Sequence, residues 1–397
     1  MSLDIVGDDL KVELPTGESV RFAHLDYAAS APCVTAAARA VGDLLPRYGS
    51  VHRGTGVRSA ASTIAYELAR DVVAEFVGAG PEHEVIFTRN TTDALNLLAR
   101  ALPAGTTTIV FDGEHHANLL PWPNQVRLPA PSTPAEALRS LEEALENTLS
   151  PALVTVTGAS NVTGEVWPIE EIADLAHRYQ ARVAVDAAQL APHRPIDLRN
   201  ADYIAFSGHK LYAPFGAGVL AGRSDWLDAA DPYLRGGGAS ASVGDRPGEL
   251  EWAAGPARHE GGTPNLLGAV AIAAVCEALL QADRDALHAE EQRLLTRLRD
   301  GLPDTVREVS LFGPEHPRVG IVSIAVDDPA GLAQKLAREH GIGVRAGQFC
   351  AHPLVRRLTG ASESGACGTA PGLLRISFGL GSTDEDIDRI LEALRSY

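Results

Sequence analysis

Cysteine is scarce in this sequence, and its spacing argues against two kinds of site. The chain of 397 residues has four cysteines, and no two of them form a C-x-x-C pair. A disulfide scaffold needs a higher cysteine density, and a zinc ribbon or a thioredoxin-type site needs the paired spacing. We therefore expect none of these. The cysteines are Cys33, Cys276, Cys350 and Cys367.

Long apolar runs and a basic leader are also missing. No segment approaches the roughly 20 apolar residues that cross a bilayer. The N-terminal residues, MSLDIVGDDLKVELP, lack the basic and apolar regions of a signal peptide. The formal net charge is −17, and an acidic surface repels nucleic acid and anionic lipid. We expect no nucleic-acid or membrane partner and a reducing, cytoplasmic location.

What the sequence does have is a regular alternation of helical and strand-like segments. Its composition, 45% hydrophobic and 21% charged, is that of a globular protein. Short β-branched runs separated by helices predict parallel strands with crossover helices, and hence an α/β sheet buried on both faces. The predicted strands are 85–88, 107–111, 153–158, 182–188, 202–208 and 218–222, and the predicted helices include 63–78, 92–102 and 134–147.

The length of the chain favours two domains. The glycine-rich stretch 236–249 is predicted to be a long loop, and a helix is predicted from about 266 to 300. A last helix begins at Thr383, a plausible N-cap residue. We expect an N-terminal segment (1–20) near the small domain, a large domain (21–268) and a small C-terminal α+β domain (269–397).

Lys210 follows a predicted strand in the segment DYIAFSGHKLYAPFGAG. Ligands of open α/β sheets bind at the carboxyl ends of strands, which is where this lysine falls. A desolvated lysine amine is a nucleophile toward aldehydes. An ordinary surface lysine is the alternative, and this residue alone does not decide between them.

Asp186 ends another predicted strand and lies 210 − 186 = 24 positions before Lys210. That interval suits two strands that end at the same edge of the sheet. A buried carboxylate needs a cationic partner. The pyridinium nitrogen of pyridoxal 5′-phosphate (PLP) would be such a partner, and an aspartate there makes the ring an electron sink. A helix cap or a structural ion pair is the alternative.

A phosphate site is predicted at residues 90–93, Asn-Thr-Thr-Asp, between a strand and a helix. Free N–H groups at a helix N-terminus and the hydroxyls of Thr91 and Thr92 bind phosphate well, although an ordinary cap explains the same residues. Ser207 and His209 add donors beside the lysine. The glycine patterns of dinucleotide and nucleoside-triphosphate sites are missing, so we expect neither ligand.

Two histidines, His115 and His116, follow the predicted strand 107–111. One of them could stack on a cofactor ring and move protons. As metal ligands they would be adjacent in sequence with no third partner in view, so we expect no metal site.

These segments resemble the class V aminotransferase superfamily of fold-type I PLP enzymes and, within it, the SufS-like group of cysteine desulfurases. The resemblance implies an α/β fold in which a large domain with a mostly parallel, seven-stranded sheet precedes a smaller C-terminal α+β domain. FSGHK with an upstream VDAAQ is the most specific part, and the matches cover nearly the whole chain. They are HLDYAASAP (24–32), SVHRGTG (50–56), FTRNTTDALNL (87–97), EHHANLLPW (114–122), SNVTGE (160–165), VAVDAAQ (183–189), FSGHKLYAPFGAG (206–218), RHEGGTPN (258–265), VRAGQFCAHPL (344–354) and LRISFGLGSTDED (374–386).

The resemblance also implies a cofactor site. Lys210 would form the Schiff base with PLP, Asp186 would bond the pyridine nitrogen and His115 would stack on the ring. Thr263 would reach the phosphate of the partner subunit, which implies a homodimer with sites at the interface. Further cofactor-binding residues implied are Thr91, Thr92, Asn161, Gln189, Ser207 and His209.

The implied substrate is a small amino acid. Arg375 would hold its carboxylate through a bidentate fork, a geometry that lysine cannot supply. Arg345 and Ala29 would lie close to the substrate, and His52 and Arg53 would line the entrance. A sulfur-acceptor protein is a possible further partner.

Cys350 lies in the segment R-x-G-x-x-C-A-x-P-L, whose cysteine attacks the substrate sulfur in the resembling desulfurases. The implied function is removal of sulfur from L-cysteine or a related amino acid through an external aldimine and a Cys350 persulfide, giving alanine. Arg345 nearby would favour the thiolate that this chemistry needs. A small buried filler is the alternative role for this cysteine.

The sequence departs from the family pattern around this cysteine. Gln348 and Phe349 stand where two histidines are usual, Asn90 and Asp93 stand where glycine and glutamate are usual, and an extended loop is expected over 356–372. These differences leave other reactions open, namely C–S lyase, epimerase or aminotransferase chemistry. A PLP-binding sulfur-relay partner without activity is a further alternative, which the intact lysine and aspartate argue against.

Overall fold

A computed structural model describes residues 3–148, 151–360 and 372–396. Its strands are β1 (Lys11–Glu13), β2 (Ser19–Arg21), β3 (Ala23–His24), β4 (His83–Thr88), β5 (Thr107–Phe111), β6 (Gln125–Leu128), β7 (Ala152–Thr157), β8 (Arg182–Asp186), β9 (Tyr203–Ser207), β10 (Gly218–Arg223), β11 (Ser240–Val243), β12 (Leu250–Trp252), β13 (Arg307–Glu308), β14 (Ile321–Ala325), β15 (Ile342–Gly343), β16 (Arg345–Gly347) and β17 (Leu373–Ser377). Its α-helices are α1 (Thr35–Leu44), α2 (Val57–Phe76), α3 (Thr91–Ala101), α4 (His116–Leu119), α5 (Pro134–Glu146), α6 (Ile169–Arg178), α7 (Ser224–Ala229), α8 (Leu266–Gln281), α9 (Arg284–Gly301), α10 (Pro329–His340), α11 (His352–Thr359) and α12 (Asp384–Arg395).

A seven-stranded sheet in the order β4-β10-β9-β8-β7-β5-β6 forms the centre of the molecule. Strands β9, β8, β7, β5 and β6 pair in parallel, whereas β10 runs antiparallel to β9 and to β4. β4 therefore points the same way as the parallel strands, and their carboxyl ends share one edge. The predicted mostly parallel α/β sheet is confirmed. Every residue of β7 is buried, as expected for a strand covered on both faces.

Helices cover both faces of this sheet. The apolar helix α8 packs against α1 and α2 on one side. On the other side, Leu95 and Leu98 of α3 pack with Ile86 of β4 and Tyr203 of β9. Burying these helix stripes against the sheet supplies the main hydrophobic stabilisation of the fold.

A second, four-stranded sheet in the order β13-β14-β17-β16 lies in the C-terminal part and is antiparallel. Its own hydrophobic core includes Leu294, Ile324, Leu336 and Ile390. Thr383 begins α12 with a capping box, as its sequence predicts. This sheet and its helices form the expected α+β arrangement.

The N-terminal residues contact this second sheet. Arg21 Nη1 lies 2.7 Å from Asp386 Oδ1 on α12, and β3 pairs in parallel with β15. Ala23 and Leu25 also pack in the second core. The start of the predicted large domain therefore packs with the small one, and the division at residues 20 and 268 stays a prediction.

The prediction of a single helix from 266 to 300 is wrong in one respect, because this segment forms two helices. α8 and α9 meet at an angle of 93°. Ala282 is extended between them, and the Asp283 side chain accepts the Ala286 N–H at 2.9 Å. A side-chain cap of this kind begins a new helix even where the apolar pattern continues.

The long loop predicted at 236–249 is also partly wrong. Residues 240–243 form β11, which pairs antiparallel with β12 across a turn in which Gly244 N–H donates to Glu249 O. Gly248 in this turn has a φ of +92°, a conformation that glycine adopts readily. The stretch is therefore largely a hairpin.

Within the described ranges, no single helix is both long and apolar enough to cross a membrane. The bent pair α8 and α9 reaches that length and composition together, but α8 lies in the hydrophobic core.

Candidate active site

The carboxyl ends of β4, β5, β7, β8 and β9 surround a cavity of about 650 Å³. This volume suits a small-molecule ligand, and strand ends of this kind are where α/β sheets bind ligands. Most of the residues predicted for the site line this cavity. They are Ala29, Thr91, Thr92, His115, Asn161, Asp186, Gln189, Ser207, His209, Lys210, Arg345, Cys350 and Arg375.

Lys210 follows β9 and lines the cavity. Burial lowers the pKa of its amine to about 8, although the nearby Asp186 carboxylate favours the charged form. An ordinary lysine has a pKa of about 10.4. A much larger share of this amine is therefore neutral near neutral pH, which attack on an aldehyde requires.

Asp186 ends β8 and is 4% exposed. Its Oδ1 accepts the Ala188 N–H at 3.0 Å. Burial raises the pKa of this carboxyl, and the cation that favours its charged form is Lys210. A buried carboxylate with so little compensation fits a ligand that brings its own positive charge, as a pyridinium nitrogen does.

The end of the cavity at α3 presents hydroxyl groups and a helix N-terminus. Thr91 N–H donates to Ser207 Oγ at 2.8 Å, and the two hydroxyl oxygens lie 2.6 Å apart. Asn90 caps α3 by accepting the Asp93 N–H at 3.0 Å, so the unusual asparagine keeps the helix start intact. His209 lies beside them, and this donor set fits a phosphate.

His115 is held as a neutral ring. Its Nδ1 accepts the Ala117 N–H at 3.0 Å, which places the proton of the neutral ring on Nε2. Burial, assisted by the charge of Lys210, lowers its pKa to about 3. A neutral aromatic ring at this position fits stacking on a planar cofactor.

Glu114, to which the sequence reasoning gave no role, is a buried carboxyl in the adjacent layer. Its Oε1 accepts the Thr157 N–H at 2.9 Å and its Oε2 accepts from Asn118 Nδ2 at 2.8 Å. Burial, assisted by the charge of Asp186, raises its pKa to about 8. The group is therefore mostly protonated at neutral pH.

Glu114→Gln should remove a contribution that lowers the free energy of unfolding as pH rises between about 4.3 and the folded-state pKa, so the slope of stability against pH should become more positive. In that window the folded protein keeps the Glu114 proton while the unfolded chain has lost it, because the folded-state pKa is about 8. Stability therefore falls as pH rises, by at most about 1.4 kcal/mol per pH unit. Urea unfolding at several pH values in this window compares the two proteins. The exposed control Glu143→Gln should match the wild type, and equal slopes for Glu114→Gln would contradict the prediction.

Arg375 of β17 is 3% exposed and reaches the cavity between two partners. Its Nη2 lies 3.1 Å from Asp26 Oδ1, and its Nη1 donates to Asn161 O at 2.9 Å. In the described part of the chain its buried Nε has no hydrogen-bond partner. Asp26 also binds Arg345 Nη2 at 2.9 Å. A buried cation with a donor to spare fits the carboxylate of a substrate.

Cys350 is exposed at the rim of the same cavity, so it is not a buried filler. Its carbonyl accepts the His116 N–H at 2.7 Å. Phe349 and Cys350 have φ values of +50° and +53°, in a region that few residues other than glycine adopt. Of the loop expected over 356–372, residues up to Thr359 continue α11. Residues 361–371, including Cys367, lie outside the described residues.

Three predicted residues do not line this cavity. His52 Nε2 lies 2.6 Å from Glu67 Oε1. Arg53 Nη2 lies 3.4 Å from Gly262 O, next to the exposed Thr263. Their predicted roles at the entrance and across a dimer stay predictions.

Sequence reasoning missed Asp26 and Glu114. Both lie inside matching motifs, in HLDYAASAP and EHHANLLPW, and this position was the one available signal. Each has a partner that lies far away along the chain: Thr157 donates to Glu114 from 43 positions later. Asp26 contacts Arg375, which lies 349 positions later.

The fold and the lysine cavity place this protein among the PLP-dependent α/β enzymes. The chain belongs to the aminotransferase class-V family, whose family model matches residues 23–390. Members of this family depend on PLP, and the expected cofactor is confirmed at that level.

Two relatives of this chain are named as cysteine desulfurases. This chain is 35% identical over 388 residues to a probable cysteine desulfurase of Halalkalibacterium halodurans, covering 94% of this chain and 92% of the relative. It is 34% identical over 394 residues to a cysteine desulfurase of Haloferax volcanii, covering 94% and 88%.

Solved structures agree in fold. The cysteine desulfurase CsdA of Escherichia coli matches with a TM-score of 0.80 and 30% identity, over 94% of each chain. The cysteine desulfurase of Thermococcus onnurineus in its apo form matches with a TM-score of 0.84 and 29% identity, over 100% of this chain and 98% of that one.

Proposed function

We propose that this protein is a PLP-dependent cysteine desulfurase, which takes sulfur from L-cysteine and releases alanine. The observation that carries the proposal is the position of Cys350, which lies at the rim of the cavity that Lys210 and Arg375 line. A thiol there can receive sulfur from an amino acid held by the arginine. The names of the relatives and of the solved neighbours support the same activity.

The cofactor, when bound, supplies an electron sink for negative charge at the substrate α-carbon. Asp186 would keep the pyridine nitrogen protonated, and His115 would cover one face of the ring. Lys210, whose pKa is lowered to about 8, would hold the cofactor and then take and return the proton of the α-carbon. The hydroxyls of Thr91 and Ser207 would hold the phosphate.

The substrate would be fixed at two points. Arg375 would bind its carboxylate through Nε, which has no hydrogen-bond partner among the described residues, and through a free N–H of the adjacent Nη group. The side-chain sulfur would then face Cys350, whose thiolate attacks it. An S–S bond forms while the C–S bond breaks. The electron pair of the C–S bond stays on the carbon skeleton, whose β-carbon takes up a proton from solvent to give the methyl group of alanine. Cys350 is left as a persulfide.

The exposed position of Cys350 also suits transfer of that sulfur to an acceptor. A persulfide at the rim can be reached by a small thiol or by the thiol of another protein. We propose a sulfur-acceptor protein as a partner and a cytoplasmic location, which the low cysteine content favours.

The proposal is tested by product analysis with L-cysteine in the presence of a reducing thiol. Alanine and sulfide are expected in equal amounts. Pyruvate with ammonia would indicate a C–S lyase, D-cysteine an epimerase, and amino transfer to a keto acid an aminotransferase. The departures at Gln348 and Phe349 are the reason to include these alternatives, and any of them as the main product would overturn the proposal.

We propose that the protein is a homodimer formed through α2. Three apolar residues on one face of this helix are solvent-exposed in the single chain, namely Val57 (82%), Ile64 (59%) and Leu68 (57%). Ile64 and Leu68 lie four residues apart, on the same face of α2, and a second copy would cover them. Thr263, which was expected at a partner's site, lies outside the chain's own cavity, and Arg53 contacts the adjacent Gly262.

The variant Ile64→Glu/Leu68→Glu should be monomeric and should retain PLP poorly. Two buried carboxylates in an apolar interface would be strongly unfavourable. Sedimentation velocity reports the mass, and the ratio of PLP to protein reports the cofactor. Leu10→Glu, which is 58% exposed in the N-terminal segment, is the matched control and should stay dimeric. A monomeric wild type, or a dimeric double variant, would contradict the proposed interface.

A further inference from the structure

Phe349 connects the two groups on which the proposed function depends. Its ring centroid lies 4.8 Å from Arg375 Cζ, in a cation–π contact. It directly precedes Cys350 in the chain, and both residues line the cavity. One residue therefore touches the carboxylate anchor through its side chain and carries the thiol through its backbone.

Asn161 closes this connection into a ring of contacts. Its side-chain Nδ2 donates to Phe349 O at 2.8 Å, and its main-chain carbonyl accepts from Arg375 Nη1 at 2.9 Å. Phe349, Arg375 and Asn161 thus contact one another in a closed triangle. A displacement of any one of these residues would therefore disturb its contacts with the other two.

The cation–π contact with Phe349 orients the guanidinium without using its hydrogen bonds. The five N–H groups of arginine lie in one plane, and an aromatic ring packs on the face of that plane. Asp26 and Asn161 each accept one N–H of an Nη group, whereas the buried Nε of Arg375 is unpaired as far as the described residues go. The contact with Phe349 therefore leaves the donor free for a carboxylate.

The backbone at this position also needs such contacts. Phe349 and Cys350 follow each other in the left-handed region, with φ values of +50° and +53°. Residues with a side chain stay in that region only when their surroundings hold them there. The surroundings here are the packed ring of Phe349, which is 9% exposed, and the hydrogen bonds to Phe349 O and Cys350 O.

We propose that Phe349 is a positioning residue that fixes the Arg375 guanidinium and the Cys350 thiol relative to each other. A substrate whose carboxylate binds Arg375 then has its side-chain sulfur at the distance that Cys350 can reach. Longer amino acids would place their sulfur elsewhere, so the contact selects an amino acid of the size of cysteine. The inference deepens the proposed function and rests on it for the sulfur-transfer half. The half that concerns carboxylate binding stands on geometry alone.

Two measurements on the PLP-loaded enzyme test the two halves separately. L-Alanine carries the amino and carboxylate groups without sulfur, and its Kd is obtained from the change in the visible spectrum. The rate of persulfide formation on Cys350 is obtained by mass spectrometry in a single turnover with L-cysteine. The variants are Phe349→Ala, Phe349→Leu and Phe349→Tyr. Phe312→Ala, which removes a ring that packs on Trp167 and His316, controls for a general loss of packing.

Phe349→Ala should raise the Kd of L-alanine and slow persulfide formation, each by roughly tenfold, the size of a desolvated cation–π contact. Phe349→Tyr keeps the aromatic face and should restore both. Phe349→Leu keeps apolar bulk without the face, so it should restore the persulfide rate more than the Kd. Phe312→Ala should leave both values at those of the wild type.

The proposal is overturned if Phe349→Ala leaves the Kd of L-alanine unchanged, if it changes the Kd and not the persulfide rate, or if Phe312→Ala has the same effects. Absence of any persulfide in the wild type would instead overturn the proposed function. In that case a raised Kd in Phe349→Ala would still support the orientation of Arg375 by Phe349.

Discussion

Cys350→Ala should release no measurable sulfide from L-cysteine while it keeps its full content of PLP. The thiol is the proposed acceptor of the substrate sulfur, and losing the group that forms a covalent intermediate lowers turnover by at least about 10³-fold. The side chain does not belong to the set of groups that would hold the cofactor, which lie at the ends of β4, β5, β8 and β9. Binding of the amino acid should therefore also persist, because Arg375 and Lys210 are unchanged.

The cysteine content of the chain provides a matched control. Cys33 is partly buried and does not line the cavity, so Cys33→Ala should desulfurate L-cysteine at the rate of the wild type. Sulfide is measured colorimetrically and the persulfide by the added mass of one sulfur atom on the Cys350 peptide. Turnover retained in Cys350→Ala would show that sulfur leaves by another route, as in a C–S lyase.

Lys210→Ala should have a still broader effect, because one amine is assigned two roles. It would hold the cofactor and it would move the α-proton, and loss of general base catalysis alone costs about 10²–10⁴-fold. Steady-state rates with L-cysteine should fall below detection. The visible absorbance of the protein-bound cofactor should be lost or shifted, although PLP could still bind through its phosphate.

Lysine is so rare in this chain that the control is simple. Lys11, Lys210 and Lys335 are its only lysines, and Lys335 lies on α10, outside the cavity. Lys335→Ala should keep both the rate and the spectrum of the wild type. A Lys210→Ala protein with normal turnover would remove the basis of the proposed chemistry.

Much of the fold could be predicted because its signals are local. Residues 107–111 form β5 as predicted, since a buried parallel strand appears in sequence as a short β-branched run. The prediction of a single helix over 266–300 is wrong because the apolar pattern continues past the break between α8 and α9. Asp283 caps the start of α9. The prediction of a long loop over 236–249 is wrong in part because a glycine-rich sequence can also form the turn of a hairpin.

For the candidate site, the positions of some residues could be predicted from the sequence, but their contacts could not. Lys210 and Asp186 could be placed together from two strand ends, because parallel strands bring their carboxyl ends to one edge. The contacts of Asp26 with Arg345 and Arg375, and of Phe349 with Arg375, could not, because they join residues that tertiary packing alone brings together. Sequence motifs indicate which residues lie near the cavity, whereas the interactions among them depend on the tertiary fold.

The central claim is that Lys210 carries the cofactor, and peptide mapping tests it most directly. Borohydride reduction of the PLP-loaded protein fixes the bond between the cofactor and the lysine amine, and digestion separates the peptides of the three lysines. The pyridoxyl mass is expected on the Lys210 peptide. Finding it on the peptide of Lys11 or Lys335, or on no peptide of a protein that contains PLP, would contradict the claim.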